Sequence, residues 1–219
     1  MKSARIAIVA AALAGMGSAY AAGVGIRAGT TGIGGDIAFG LVPTLSARVG
    51  YSYLKYSTDI DVTDVNYDSK LKLSNASFLL DWSPLGPFRI TGGIIANDNK
   101  IDVTGTPSGG SFTINGVTYP AAAVGSLSGT IKTGNSAAPY LGIGYGNVAG
   151  AGVNFYFDLG VMFQGSPKAT LTGTCGAALP PAQCAQFQND VAAEQVSLQE
   201  DVKRFKYYPV ANIGVTIGF

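Results

Sequence analysis

Every odd-numbered residue from Val153 to Phe163 is apolar: Val153, Phe155, Phe157, Leu159, Val161 and Phe163. Between them stand Asn154, Tyr156, Asp158, Gly160 and Met162. The last residues repeat the pattern, with Ala211, Ile213, Val215, Ile217 and Phe219 alternating with Asn212, Gly214, Thr216 and Gly218. A period of two residues is that of a β-strand with two unlike faces. In a soluble protein the apolar face turns to a core. In a membrane barrel it turns to lipid, and the polar face lines the lumen.

Composition favours the second setting. Hydrophobic residues make up 47% of the chain, yet no run after the first 21 residues approaches the roughly 20 apolar residues of a spanning helix. Alternating strands closed into a barrel carry such apolarity across a bilayer without helices. Charged residues are 12%, against about a quarter in soluble domains. The 31 glycines suit a narrow barrel, where side chains from facing strands crowd the interior.

Lys2 and Arg5 precede an apolar stretch of small residues from Ile6 to Gly17, followed by Ser18-Ala19-Tyr20-Ala21. This is the order of a secretory signal peptide with an A-x-A site, so residues 1–21 are expected to be a leader for the Sec route and residues 22–219 the mature barrel. Phe219, aromatic and last, resembles the assembly signal that closes bacterial outer-membrane barrels. Without Lys2 and Arg5, 12 basic residues face 13 acidic ones, which gives no reason to expect nucleic acid.

The chain has no histidine. A serine nucleophile would lack its usual base, and zinc its commonest nitrogen ligand. The sequence therefore predicts no catalytic residue, no metal site and no cofactor. Cys175 and Cys184 lie in one segment without a CxxC motif, and export to an oxidising compartment leads us to expect a local disulfide.

Strands are expected near 24–28, 36–41, 45–53, 67–82, 88–103, 126–132, 140–145, 153–163, 168–174 and 207–219. Counting all of them gives ten; eight is the alternative. In the fourth, Leu71 and Leu73 have the opposite parity to Phe78, Leu80 and Trp82, which predicts a β-bulge near Ser74-Asn75. A long loop at 105–125 contains Asn115-Gly116 flanked by strand-formers, a hairpin signal. In the loop at 173–206, Phe187, Val191, Leu198, Val202 and Phe205 recur at helical spacing, predicting an amphipathic helix over 182–204. With ten strands, the turns at 42–44, 83–87, 134–138 and 165–167 fall on the periplasmic side, and the longer loops with the helix fall outside. The fold class is thus all-β: a transmembrane, antiparallel, up-and-down barrel with one helix before its last strand. A secreted β-sandwich would need alternating strands too.

Leu79-Leu80-Asp81-Trp82-Ser83-Pro84, Phe88-Arg89-Ile90-Thr91-Gly92-Gly93 and Pro139-Tyr140-Leu141-Gly142-Ile143-Gly144 resemble segments of small proteobacterial outer-membrane barrels of the OmpA-transmembrane and OmpW-like kind. The resemblance implies the Gram-negative outer membrane, with outer-membrane lipid, lipopolysaccharide and the barrel assembly machinery as partners. It implies architecture rather than an activity.

Alternation places Arg27, Asp36, Arg48, Asp81, Arg89 and Asp158 in the lumen, since an arginine facing lipid at mid-bilayer costs about 2–4 kcal/mol. Asp81 and Arg89 straddle the 83–87 turn and are expected to meet near the inner mouth. Two functions follow. The charges pair and plug the lumen of a structural or surface-interaction barrel, or they line a narrow pore or passive carrier for small solutes. Tyr51, Tyr53, Tyr145 and Tyr207 are candidates for an outer aromatic girdle, and Trp82, Phe88 and Phe219 for an inner one.

Overall fold

The computed structural model describes residues 21–62, 65–107 and 109–219; apart from Ala21, the expected leader lies outside them. The strands are β1 (Ala22–Gly29), β2 (Gly32–Val42), β3 (Leu45–Val62), β4 (Val65–Leu85), β5 (Phe88–Asn97), β6 (Lys100–Pro107), β7 (Ser111–Ile114), β8 (Val117–Pro120), β9 (Val124–Lys132), β10 (Ala137–Tyr145), β11 (Gly152–Phe163), β12 (Lys168–Cys175) and β13 (Tyr207–Gly218). Among the described residues one α-helix, α1 (Pro181–Val202), precedes β13.

Eight strands close a ring in the order β4-β3-β2-β1-β13-β11-β10-β5, with β5 pairing back onto β4. Every pairing is antiparallel. The first and last strands meet directly, Val24 opposite Ile217. The end that holds Ala22 and Phe219 has only short turns, at 43–44, 86–87 and 146–151, whereas the opposite end, apart from the 30–31 turn, carries the long excursions; the first is therefore the periplasmic end.

The ring has the lower of the two expected strand counts because two segments expected to be turns are bends. Residues 134–138 and 165–167 lie at the outer rim, not on the periplasmic side. There β9 runs on into β10, and β11 into β12, without reversing. Pairing shows the continuity. Ala96 lies opposite Ala137 and Lys100 opposite Lys132, so the partner strand passes from β10 to β9 with one residue of slip. Likewise β5 continues into β6 past Asp98 and Asn99, along a single β4 edge. Gly165, at φ +69°, supplies one of the bends.

Above the rim β1, β2 and β13 stop, while the other five strands continue as an open sheet in the order β3-β4-β6-β9-β12. A barrel strand needs about 9–11 residues to cross the bilayer. At 18 and 21 residues, β3 and β4 extend well beyond that. This extension also removes the bulge expected at Ser74-Asn75. The β3–β4 register is continuous from Leu45↔Trp82 to Val62↔Val65. Leu73 points inward and is buried, while Lys70 and Lys72 point outward. The lipid rule that demands apolar residues outside does not apply to a stretch beyond the hydrocarbon core.

The outer sheet would leave β12 as a bare edge, a template for unwanted pairing. Helix α1 covers it. Gln199 and Gln195 accept hydrogen bonds from the backbone N–H groups of Ala169 (2.9 Å) and Leu171 (3.1 Å), and Gln188 donates to the Gly173 carbonyl (2.8 Å). Four residues of helix rise about 6 Å, close to the span of two strand residues, which is why glutamines four apart reach alternate strand positions. Gly173 also leaves room for Phe187, whose ring would lie 2.8 Å from a β-carbon there. Phe187 and Val191 pack with Ile114, Tyr119 and Val124 in a small core above the membrane. The Cys175–Cys184 disulfide joins the end of β12 to the first turns of α1.

The β7–β8 hairpin turns at Asn115 (φ 51°) and Gly116 (φ 76°), the positive pair that a two-residue hairpin demands. Asp190 of α1 clasps it, accepting from the Tyr119 hydroxyl and from Asn115 Nδ2 (3.2 Å), while Glu194 accepts from the Asn115 backbone N–H (2.9 Å). The Tyr119 hydrogen bond, then that of Asn115, holds the Asp190 carboxyl below the usual carboxylate range against the opposing effect of desolvation. A depressed folded value means that the stabilisation is complete above the unfolded value of about 3.9 and is lost as pH falls through the folded one. The hairpin is expected to stay docked at about pH 5 and to loosen below about pH 4, read as faster hydrogen exchange of its backbone amides. In the Asp190→Asn variant that acid transition should be smaller, since Glu194 still accepts from the Asn115 backbone N–H.

Candidate functional site: a charged lumen

The ring is narrow enough that inward side chains meet across it. Arg48, from β3, is fully buried. Its Nη1 donates to Asp158 Oδ2 at 2.7 Å, and its Nε and Nη2 reach Asp81 at 3.1 and 3.2 Å. Arg89, from β5, reaches the same two carboxylates: Asp158 Oδ1 at 2.7 Å and Asp81 Oδ1 at 3.4 Å. Two guanidinium groups and two carboxylates thus form a closed quartet in which each cation touches both anions. Thr91 donates to Asp81 Oδ1 at 2.6 Å. The Tyr156 ring lies 5.2 Å from the Arg48 guanidinium and 5.4 Å from that of Arg89, adding a cation–π contact with each.

A second pair stands beside the quartet. Arg27 Nη1 lies 2.8 Å from Asp36 Oδ1, and the Tyr156 hydroxyl donates to Asp36 Oδ2 at 2.6 Å. Tyr156 therefore links the two groups, its ring against the quartet and its hydroxyl against the pair. Arg27 also donates to Ser77 Oγ at 3.1 Å.

All six charges expected in the lumen are inside the ring, each at most 5% exposed. Asp81 and Arg89 meet as one contact of the quartet. Three positive and three negative charges leave this set neutral. Sequence reasoning did not single out Tyr156, Thr91 and Ser77, although the parity of each strand already turned them inward. Tyr156 fits because Gly214 faces it: a β-carbon there would overlap the phenol ring.

Other material fills the lumen around the charges. The turn at 146–151 tucks inward at the periplasmic end, burying Val148 and Ala149 against Ala38 and Tyr156. Leu79, Ile95, Ala138, Tyr140, Met162 and Val210 form an apolar cluster on the same inward faces. Thr31, Ser52, Asn75, Asn99 and Asn212 form a hydrogen-bonded polar group, in which Asn75 Nδ2 donates to the Thr31 carbonyl at 2.9 Å and Asn99 Oδ1 at 3.0 Å.

The outside of the ring is the inverse of this. Ile26, Ile90, Ile94, Leu141, Ile143, Leu159 and Ile213 are exposed in a continuous apolar band. At the outer rim stand Tyr51, Tyr53 and the edge-to-face pair Phe163–Tyr207. Tyr145 does not belong there. It packs edge-to-face on Phe88 at 5.2 Å, at the periplasmic end with Trp82 and Phe219, because β10 runs downward once the 134–138 segment is a bend.

No protein-family model matches the chain, and no curated protein matches it. Among solved structures it is similar to CarO of Acinetobacter baumannii, with a TM-score of 0.63 at 24% identity over 90% of this chain and 97% of that one. CarO2 of the same organism gives 0.62 at 22% identity, over 93% and 100%. A major outer membrane protein from Thermus thermophilus aligns at 0.43 and 17% identity, over 90% and 99%. The fold is that of an outer-membrane β-barrel.

Proposed function

We propose that this chain is an integral outer-membrane protein of structural or surface-interaction type, a closed barrel that anchors an ordered outer sheet and helix. The observation that carries this reading is the quartet of Arg48, Asp81, Arg89 and Asp158, which joins the neighbouring strands β3, β4 and β5 to β11 across the lumen with every member buried. Ions held at hydrogen-bond distance to each other satisfy one another across the lumen rather than standing free along an open polar path. The eight-stranded ring supports a place near the OmpA-transmembrane and OmpW-like barrels. A non-enzymatic role is part of the proposal and rests on the absence of histidine, and lipopolysaccharide and the barrel assembly machinery remain the proposed partners.

Planar-bilayer recording of the purified, refolded protein tests the reading. The wild type is expected to give a flat trace at all voltages. The Arg48→Ala/Arg89→Ala variant, which removes both guanidinium groups at once, is expected to give discrete conductance steps. Regular steps from the wild type would replace this reading with that of a narrow pore.

A further inference from the structure

The pairing registers bring five lysines into one line. Lys55 of β3 lies opposite Lys72 of β4, Lys72 opposite Lys100 of β6, Lys100 opposite Lys132 of β9, and Lys132 opposite Lys168 of β12. Directly paired residues of an antiparallel sheet share a face, so all five stand on one face of the outer sheet. Five strands at about 4.8 Å spacing make the row about 19 Å wide.

That face is continuous with the lipid-facing surface of the barrel. Stepping down β3 and β4 two residues at a time, Lys55↔Lys72 is followed by Tyr53↔Ser74, Tyr51↔Ala76 and Val49↔Phe78. The lysines therefore stand directly above the outer aromatic girdle, at the depth of lipid headgroups. The row is also where the sheet leaves the ring, since Lys100, Lys132 and Lys168 flank its three bends.

Like charges placed directly opposite one another repel. The protein supplies carboxylates for only part of the row: Lys72 pairs with Asp98 and Lys100 with Asp102, both at 2.8 Å. Among the described residues Lys55, Lys132 and Lys168 have no ion pair, and all three are exposed. An unbalanced cationic line at headgroup depth calls for anions from the membrane itself. We propose that this row binds the headgroup phosphates of the outer-leaflet glycolipid. The proposal rests on the membrane-spanning reading and adds a specific lipid contact to it.

The test compares the wild type with a Lys55→Gln/Lys132→Gln/Lys168→Gln variant and with the matching triple arginine variant, each refolded in neutral detergent. None of these substitutions removes an ion pair, and far-UV circular dichroism checks that each variant is folded. Binding of bis-phosphorylated lipid A, of the same lipid without phosphates, and of inorganic pyrophosphate is measured by native mass spectrometry. At about 1 kcal/mol per lysine near an anionic surface, the loss of three should make the glutamine variant bind bis-phosphorylated lipid A about a hundredfold more weakly, while the arginine variant binds as tightly as the wild type. Equal binding by the wild type and the glutamine variant would overturn the proposal. So would wild-type binding that ignores the phosphates, or binding of pyrophosphate as strong as that of the lipid. Failure of the membrane-spanning reading is a separate result: wild-type protein that does not float with phosphatidylcholine vesicles.

Discussion

Arg48→Met is expected to lower the stability of the folded barrel by about 3–5 kcal/mol, the cost of breaking a buried ion pair by removing one partner. The substitution keeps an apolar stem of similar length and deletes only the guanidinium. Asp158 loses a 2.7 Å contact, and Asp81 loses contacts at 3.1 and 3.2 Å. Both carboxylates are then left to Arg89 alone, in an interior with little solvent to screen them. The loss comes mainly from the uncompensated charge, so a second substitution should recover part of it. Arg48→Met/Asp158→Asn leaves Asp81 and Arg89 as a neutral pair and is expected to be more stable than Arg48→Met. Arg48→Lys should fall between wild type and Arg48→Met, because an ammonium carries the charge without the planar fork that serves two carboxylates at once. Urea unfolding in vesicles, followed through Trp82, measures all four proteins. A loss of under about 1 kcal/mol for Arg48→Met would show that the quartet is not the desolvated structure described above.

Leu141→Arg is expected to cost about 2–4 kcal/mol, whereas Val196→Arg should change stability by less than about 0.5 kcal/mol. The two positions are similarly open, 58% and 63% exposed, so exposure alone predicts the same outcome for both. They differ in what they face. Leu141 lies mid-strand in β10, between Gly92 of β5 and Val161 of β11, in the centre of the apolar band. Val196 lies on α1, above the rim, where arginine meets water. The same vesicle unfolding assay separates them. Equal, small costs at both sites would show that the band is wetted, as the outer face of a secreted sandwich would be, and would remove the membrane reading.

Much of this was legible in the residues because it depends only on alternation. Asp158 sits between Phe157 and Leu159, and Arg89 between Phe88 and Ile90, so parity alone turned them inward whatever the strand order. The Asn115-Gly116 turn was legible for a similar reason, since the pair sets its own dihedral angles. The α1 helix was visible in the spacing of Phe187, Val191, Leu198 and Val202, although Phe205 lies beyond its end and is exposed.

Other features belong to no single segment. Whether Gly134 and Gly165 reverse the chain or merely bend it depends on which strand lies alongside. The strand count, the side of each turn and the end at which Tyr145 stands all turned on that. The two leucines of β4, Leu71 and Leu73, suggested a bulge only on the assumption that the strand ends at the membrane surface; its excess length carries that stretch above the lipid, where Leu73 turns inward and is buried. The quartet shows the same division: inward direction is a local property, but the 2.7 Å contacts of Asp158 depend on ring size and stagger.

By itself, then, the sequence determined the face of each strand residue within the membrane band, the presence of the hairpin and helix, and the enclosure of six charges, because side-chain direction follows from a two- or 3.6-residue period inside one segment. Only the tertiary structure decided that the ring closes at eight, that the glutamines of α1 guard the β12 edge, and that Lys55, Lys72, Lys100, Lys132 and Lys168 share one line. Those facts are registers between strands far apart in the chain, and a register is settled by the whole set of pairings together rather than by any one strand.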